Sequence, residues 1–116
     1  MILSKIKEGS YRLMFSPVHL REIEAIPDVS EQIELLAIIH GLGERVKIDM
    51  AQTRTRADEL IKLHFGVADA AHVAFAEQCM AQFISCDDIL IKKCLRHKIS
   101  TWCGDPVAFC EKEGLK

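Results

Sequence analysis

Apolar positions along the chain fall into runs whose period switches between that of a helix and that of a strand. "ILSKIKEG" sets Ile2, Leu3 and Ile6 at helical intervals and runs into Gly9, a common place for a helix to stop. "SYRLMF" (10–15) alternates and predicts a strand. "PVHLREIEAI" (17–26) begins with Pro17 at a tolerated first-turn position and places Val18, Leu20, Ile23 and Ile26 in one helical stripe. Asp28 then precedes "VSEQIELLAIIHGLG", with Glu31 three places on, in the manner of a capping box. Ile33, Leu36, Ala37 and His40 share a face of that helix, and Gly41 and Gly43 mark its end. "RVKID" (45–49) predicts a short strand. "TRADELIKLHFG" (55–66) predicts a helix with Ala57, Leu60, Ile61 and His64 on one side. "VADAAHVAFAEQCMA" (67–81) is Ala-rich and strongly helical. A strand "QFISC" (82–86), a helix "DILIKKCLRH" (88–97), a strand "ISTWC" (99–103) and a short helix "DPVAFCEKEG" (105–114) complete the chain.

Strands that alternate with helices call for a parallel sheet covered by helices. The expectation is an α/β fold of one domain over residues 1–116, three-layered, with four or so parallel strands. The strands after residue 44 are short apolar runs, as buried parallel strands are. In such sheets chemistry gathers at the carboxyl ends of the strands. Asp87 follows one of those ends.

Composition narrows the choice of function. A chain of 116 residues can bury a core without staples. Its net charge of −2 argues against a protein that grips nucleic acid by basic excess alone. No stretch has the ~20 consecutive apolar residues of a membrane span. "MILSKIKEGS" is too short and too quickly polar for a signal peptide, so a cytoplasmic location is expected. Cys79, Cys86, Cys94, Cys103 and Cys110 stand singly, without the CxxC spacing of a zinc site. An odd count with no secretion signal argues for free thiols, most of them serving as small buried apolar groups. A thiol catalyst lacks a motif here.

Three acids stand out. Glu22 lies one turn into the helix after "SYRLMF", Asp69 lies early in the Ala-rich helix, and Asp87 follows "QFISC". Each sits beyond a strand end or in a first helical turn, where the helix dipole favours negative charge. Right-handed crossovers could bring them to one edge of the sheet. Taken singly, Asp87 is a helix cap, Asp69 an N-terminal helix acid, Glu22 an exposed helix residue and Asp88 a solvated neighbour. Ser85 is either a hydroxyl supporting the acids or an ordinary strand-end serine. His19, His40, His64, His72 and His97 have no partner spacing, and Trp102 fits core or rim. Lys92, Lys93, Arg96 and Lys98 could touch phosphate, though a solvated helix face accounts for them, and the same holds for Arg54 and Arg56.

Taken together, these stretches resemble a PIN domain, and most closely its small VapC-like members. "SPVHLREI" (16–23) is similar to the family's Ser-x-x-x-Leu-x-Glu-Leu segment and gives Glu22 the place of its helix glutamate. "VADAAHVAFA" (67–76) resembles the family's Asp-Ala-rich helix and gives Asp69 the third acidic place. "FISCDDIL" (83–90) resembles its Ile-Thr-x-Asp strand end, with Ser85 as the hydroxyl residue and Asp87 in the fourth acidic place. "ISTWCGDPVAF" looks like its last strand followed by Pro-x-x-Phe. The resemblance implies a Mg²⁺- or Mn²⁺-dependent ribonuclease in which Glu22, Asp69 and Asp87 hold the cation. It also implies RNA as substrate and, for a toxin, an antitoxin protein as partner.

The family's first element is a strand ending in aspartate, which lies in the middle of the sheet. Residues 1–9 match only the tail of the helix that follows it. The expected fold is therefore PIN-like but N-terminally truncated, or else Met1 is an internal start. A truncated sheet would leave "SYRLMF" and "QFISC" beside a vacancy. Either they close up and pair directly, or a second chain covers the exposed surface; a homodimer is expected. The alternative function is that of a non-catalytic PIN-like protein that acts by self-association or partner binding.

Overall fold

The computed structural model describes residues 2–15, 17–45, 49–97 and 99–115, with backbone alone for Leu3, Pro17, Val18 and Arg45. The elements run α1 (Ile2–Lys7), β1 (Leu13–Phe15), α2 (Pro17–Glu24), α3 (Val29–Leu42), β2 (Gly43–Arg45), α4 (Met50–Lys62), α5 (Val67–Gln78), β3 (Phe83–Ile84), α6 (Asp88–Arg96), β4 (Cys103–Gly104) and α7 (Pro106–Glu113). This is a mixed α/β chain with the element order that periodicity predicts. It divides into two compact units, Met1–Lys47 and Ile48–Lys116.

In the first unit β1 pairs in parallel with β2, with Leu13 opposite Gly43 and Phe15 opposite Arg45. Gly43 is required where α3 turns into β2. A Cβ there would stand 2.6 Å from the Ile39 carbonyl oxygen and 2.9 Å from the Phe15 ring. Asp28 caps α3 as the sequence predicts, its Oδ1 accepting from the Glu31 N–H at 3.2 Å. The face predicted for α3 does not turn inward. Ile33 is 60% exposed, Ala37 and His40 are exposed, and no α3 residue is fully buried among those described. Of that face Leu36 alone is half-buried, and it joins Leu35, Ile38, Ile39 and Leu42 on the half-buried side. The helix is apolar nearly all round, so periodicity selects no single face. In α2 Ile23 is buried and Leu20 half-buried, in keeping with the predicted stripe, and the Val18 side chain lies outside the described residues.

The second unit is built around α5. Ala70, His72, Val73, Ala74, Phe75 and Ala76 are all buried, because small alanines let neighbouring elements approach closely. Val73 joins Leu60 of α4, Phe65, Leu90 and Cys94 of α6, and Cys103 of β4 in one apolar cluster. Burying a side chain the size of Leu60 or Val73 contributes about 1.5–3 kcal/mol. The α4 helix begins at Met50, five residues before the predicted start. Asp49 caps it, accepting from the Gln52 N–H at 3.1 Å, so the helix reaches back over "AQT" and buries Thr53. Ala57 and Leu60 pack inward as expected, whereas Ile61 and His64 are exposed. Residues 46–48, the centre of the strand expected over 45–49, lie outside the described residues.

β3 and β4 pair in parallel, Phe83 with Cys103 and Ile84 with Gly104. The four strands therefore form two separate two-stranded ladders, β1–β2 and β3–β4, in place of one four-stranded sheet. Direct pairing of β1 with β3, one of the two outcomes expected of a truncated sheet, is not what the described residues adopt. The β3–β4 ladder is short because each of its strands runs into a helix cap within a few residues: Asp87 after β3 and Asp105 after β4.

Candidate carboxylate site

Asp87 ends the chain's exit from β3 and opens α6. Its Oδ1 accepts from the N–H groups of Ile89 at 3.0 Å and Leu90 at 3.1 Å, and the side chain is exposed. Those N–H groups have no partner inside the helix, so the carboxylate satisfies them. Ser85 shapes the approach: its Oγ accepts from the Asp87 N–H at 3.1 Å. The serine thus fixes the turn that presents Asp87. Asp88 is exposed in the first turn of α6.

Asp69 sits in the first turn of α5, half-buried. The helix starts at Gly66, which offers no side-chain cap, and Asp69 turns back over it. A Cβ on Gly66 would lie 3.6 Å from Asp69 Oδ2. Negative charge there complements the positive end of the helix dipole. Glu22 is an exposed residue of α2 and belongs to the first unit. Carboxylate oxygens are hard donors of the type Mg²⁺ and Mn²⁺ accept. Among the described residues no three His, Cys, Asp or Glu side chains gather closely enough to hold a metal ion.

Asp105 was not singled out by sequence pattern except as the start of a helix. Because β3 and β4 are parallel neighbours, Asp87 and Asp105 leave the same rim of that ladder. Asp105 Oδ1 accepts from the Ala108 N–H at 2.7 Å, and Pro106 occupies the first helical position. The legible signal was Asp-Pro after a short apolar run, which reads as a cap.

A second polar group was missed altogether. Glu77, its side chain only 9% exposed, binds Arg56 Nε through Oε1 at 2.7 Å. Its Oε2 accepts from the Ser100 N–H at 2.9 Å and from the Ser100 hydroxyl at 3.0 Å. Arg56 also reaches Glu59, at 2.9 Å. One carboxylate thereby ties α4 and α5 to the loop before β4. Burial pushes the Glu77 carboxyl up, but the hydrogen bonds from Arg56 and Ser100 outweigh it and hold it below the ordinary glutamate range. No spacing rule joins residues 56, 77 and 100, so sequence gave no cue.

The basic residues resolve into separate roles. Lys93 Nζ donates to the His64 carbonyl at 2.7 Å, at the end of α4. Lys92 and Arg96 are exposed, and Lys98 lies outside the described residues. Trp102 is half-buried at the rim, its ring edge-on to Phe109 at 5.8 Å with Lys112 Nζ 5.0 Å from the ring centre. Among the described residues no helix is long and apolar enough to cross a membrane.

Comparison of the chain with models of known families, with curated proteins and with solved structures finds no match.

Proposed function

We propose that this chain is a PIN-domain-like protein, a member of the Mg²⁺- or Mn²⁺-dependent ribonucleases of VapC-like type, acting on RNA and paired with an antitoxin protein. In this reading the fold is a three-layer sheet that lacks its central strand over residues 1–116. Glu22, Asp69 and Asp87 supply the carboxylates for the cation, with Ser85 behind Asp87. The observation that carries it is the strand pairing. Removing the middle strand of such a parallel sheet leaves two parallel pairs, and two parallel pairs, β1–β2 and β3–β4, are present. The match of "VADAAHVAFA" and "FISCDDIL" to the family's acidic segments supports the same reading. A bound cation would polarise a phosphodiester oxygen and lower the pKa of a bound water. The chain's own part is to hold Asp87 rigidly: two backbone N–H groups fix Oδ1, and Oδ2 is the oxygen left to face a ligand.

The test is a Mn²⁺ titration followed by thermal unfolding. A cation that binds only the folded chain stabilises it by about 2.7 kcal/mol at a hundredfold excess over Kd. Asp87→Asn keeps a good helix cap but removes the charge, so the midpoint rise should vanish while the metal-free midpoint stays close to wild type. A wild-type midpoint that does not rise at millimolar Mn²⁺ sinks the nuclease reading.

The second reading is a non-catalytic PIN-like protein that works by self-association, as a homodimer, or by binding a partner. It is favoured by α3, which exposes Val29 and Ile33 by 64% and 60% and has no buried residue among those described. Sedimentation showing only monomer at high concentration would remove the homodimer from both readings.

A further inference from the structure

Helix α3 of the first unit has one engaged side and one bare side. On the engaged side Leu35, Ile38, Ile39 and Leu42 are half-buried. There Gln32 Nε2 also donates to the Glu24 carbonyl at 3.0 Å and ties α3 to the end of α2. On the other side Ser30, Ile33, Glu34, Ala37, His40 and Gly41 are all exposed. Their spacings of three and four set them in one stripe, about 16 Å long at about 1.5 Å per residue. Ile33 stands out of that stripe, 60% exposed. Two turns further on, a Cβ at Gly41 would meet nothing within 4 Å, so the stripe also carries a hollow. The side chains of Glu34 and His40 make no hydrogen bond or ion pair among the described residues.

This face is complementary to itself. Ala37 lies at its middle, with Glu34 three places before it and His40 three places after. Ile33 lies four places before it and Gly41 four places after. When two copies of α3 run antiparallel and cross at Ala37, each residue faces the one equally far from Ala37 on the other helix. Ile33 then enters the hollow at the partner's Gly41, and the Glu34 carboxylate accepts an N–H from the partner's His40. Two-fold symmetry makes each contact twice. The small side chain at the crossing lets the axes approach to the near end of the usual range of about 8–10 Å. The helix dipoles oppose each other, which is the favourable sense. A parallel pair would set Glu34 against its own copy and align the dipoles. A slide of one turn towards either end takes Ile33 off the glycine and Glu34 off the imidazole.

We propose that the bare face of α3 docks on the same face of a second copy of this chain, antiparallel and centred on Ala37. The proposal rests on the self-association reading and gives it a surface and a register. A single pair of helices is a contact at the small end of specific interfaces, below about 1,200 Å². Dimerisation should therefore depend on concentration.

The test is sedimentation equilibrium of the full chain and its variants, with circular dichroism to follow the helices. The wild type should pass from monomer to dimer as concentration rises. Gly41→Leu has room in the monomer and is the better helix former. It fills the hollow that Ile33 needs, so the dimer should weaken about tenfold or more while helical signal is kept. His40→Glu sets two pairs of carboxylates face to face and should weaken it about tenfold. Adding Glu34→Lys to His40→Glu restores an acid–base pair at both ends and should bring the dimer back to within about threefold of wild type. A wild-type dimer that neither Gly41→Leu nor His40→Glu weakens, or a double variant no tighter than His40→Glu alone, overturns this interface while leaving a homodimer through another surface. A chain that stays monomeric at the highest concentration overturns the interface and the homodimer together and leaves the face to a different protein.

Discussion

At the scale of single residues, Glu77 has the most consequential surroundings. Its carboxyl is held below its ordinary value of 4.5 in the folded chain. A group whose pKa is lowered by folding stabilises the folded state fully above its unfolded pKa. That contribution is lost as pH falls through the folded value. Stability should therefore decline below about pH 4.5, and Glu77→Gln should flatten that part of the profile. Above that range the substitution should cost about 1.5–3 kcal/mol, the worth of hydrogen bonds to a charged group. Chemical denaturation of both proteins across the acid range measures both effects. None of this was visible in the sequence, where Glu77 is one more polar residue at the end of an Ala-rich helix. The caps were visible, because a cap is local: Asp28 and Asp87 contact N–H groups two or three residues away. The Arg56–Glu77–Ser100 network joins residues 21 and 23 positions apart, and only the fold sets such a distance.

At the scale of elements, the helix stops explain how far periodicity could be trusted. Chains leave α1, α4, α5 and α7 through a residue in the left-handed region: Gly9, His64, Met80 and Gly114. After each, the next N–H returns to a carbonyl five residues back, as in Ser10 to Lys5, Phe65 to Leu60, Ala81 to Ala76 and Leu115 to Cys110. Glycine adopts this conformation freely, and the stop at Gly9 was legible. His64 and Met80 do the same at a cost, so the predicted ends of both helices, at 66 and 81, overshoot by four and three residues. Met80 is 88% exposed and contributes little packing with its side chain. Met80→Gly should accordingly raise stability by about 1 kcal/mol, relief of the left-handed strain being only partly offset by glycine's chain entropy. A shift in denaturation midpoint without change in slope is the expected signature. The α3 helix marks the opposite limit. Its cap was correct and its length nearly so, but the inward face was not, because the amphipathic contrast that orients a helix is missing from "IELLAII".

At the scale of the whole molecule, the two units differ in what holds them. The apolar cluster of Leu60, Phe65, Val73, Leu90, Cys94 and Cys103 lies wholly within residues 48–116. Among the described residues of the first unit, Phe15 and Ile23 alone are buried apolar side chains. A 47-residue piece with so little core falls below what a chain of that size needs to fold alone. The fragment 48–116 should unfold cooperatively by circular dichroism, and the fragment 1–47 should lack a transition. A cooperative transition in 1–47 would show that half-buried α3 suffices as a core. Sequence pattern recovered the order of helices and strands among the described residues, because each is a local decision. It did not recover the number of sheets, because whether two ladders join depends on what lies between them and not on the strands' own residues.

The connection between α4 and α5 has a further consequence, for the order in which the second unit assembles. Only residues 63–66 separate the two helices, and Leu60 meets Val73 across that turn. Closing so short a loop costs little chain entropy. β3 and β4, by contrast, are parallel, and their pairing must wait until the chain has crossed over through α6. The helical hairpin should thus be the nucleus on which α6 docks, with the Phe83 to Trp102 and Ser85 to Gly104 hydrogen bonds closing last. The rim that carries Asp87 and Asp105 would then be the final part of the unit to take shape, and the first to open when it breathes.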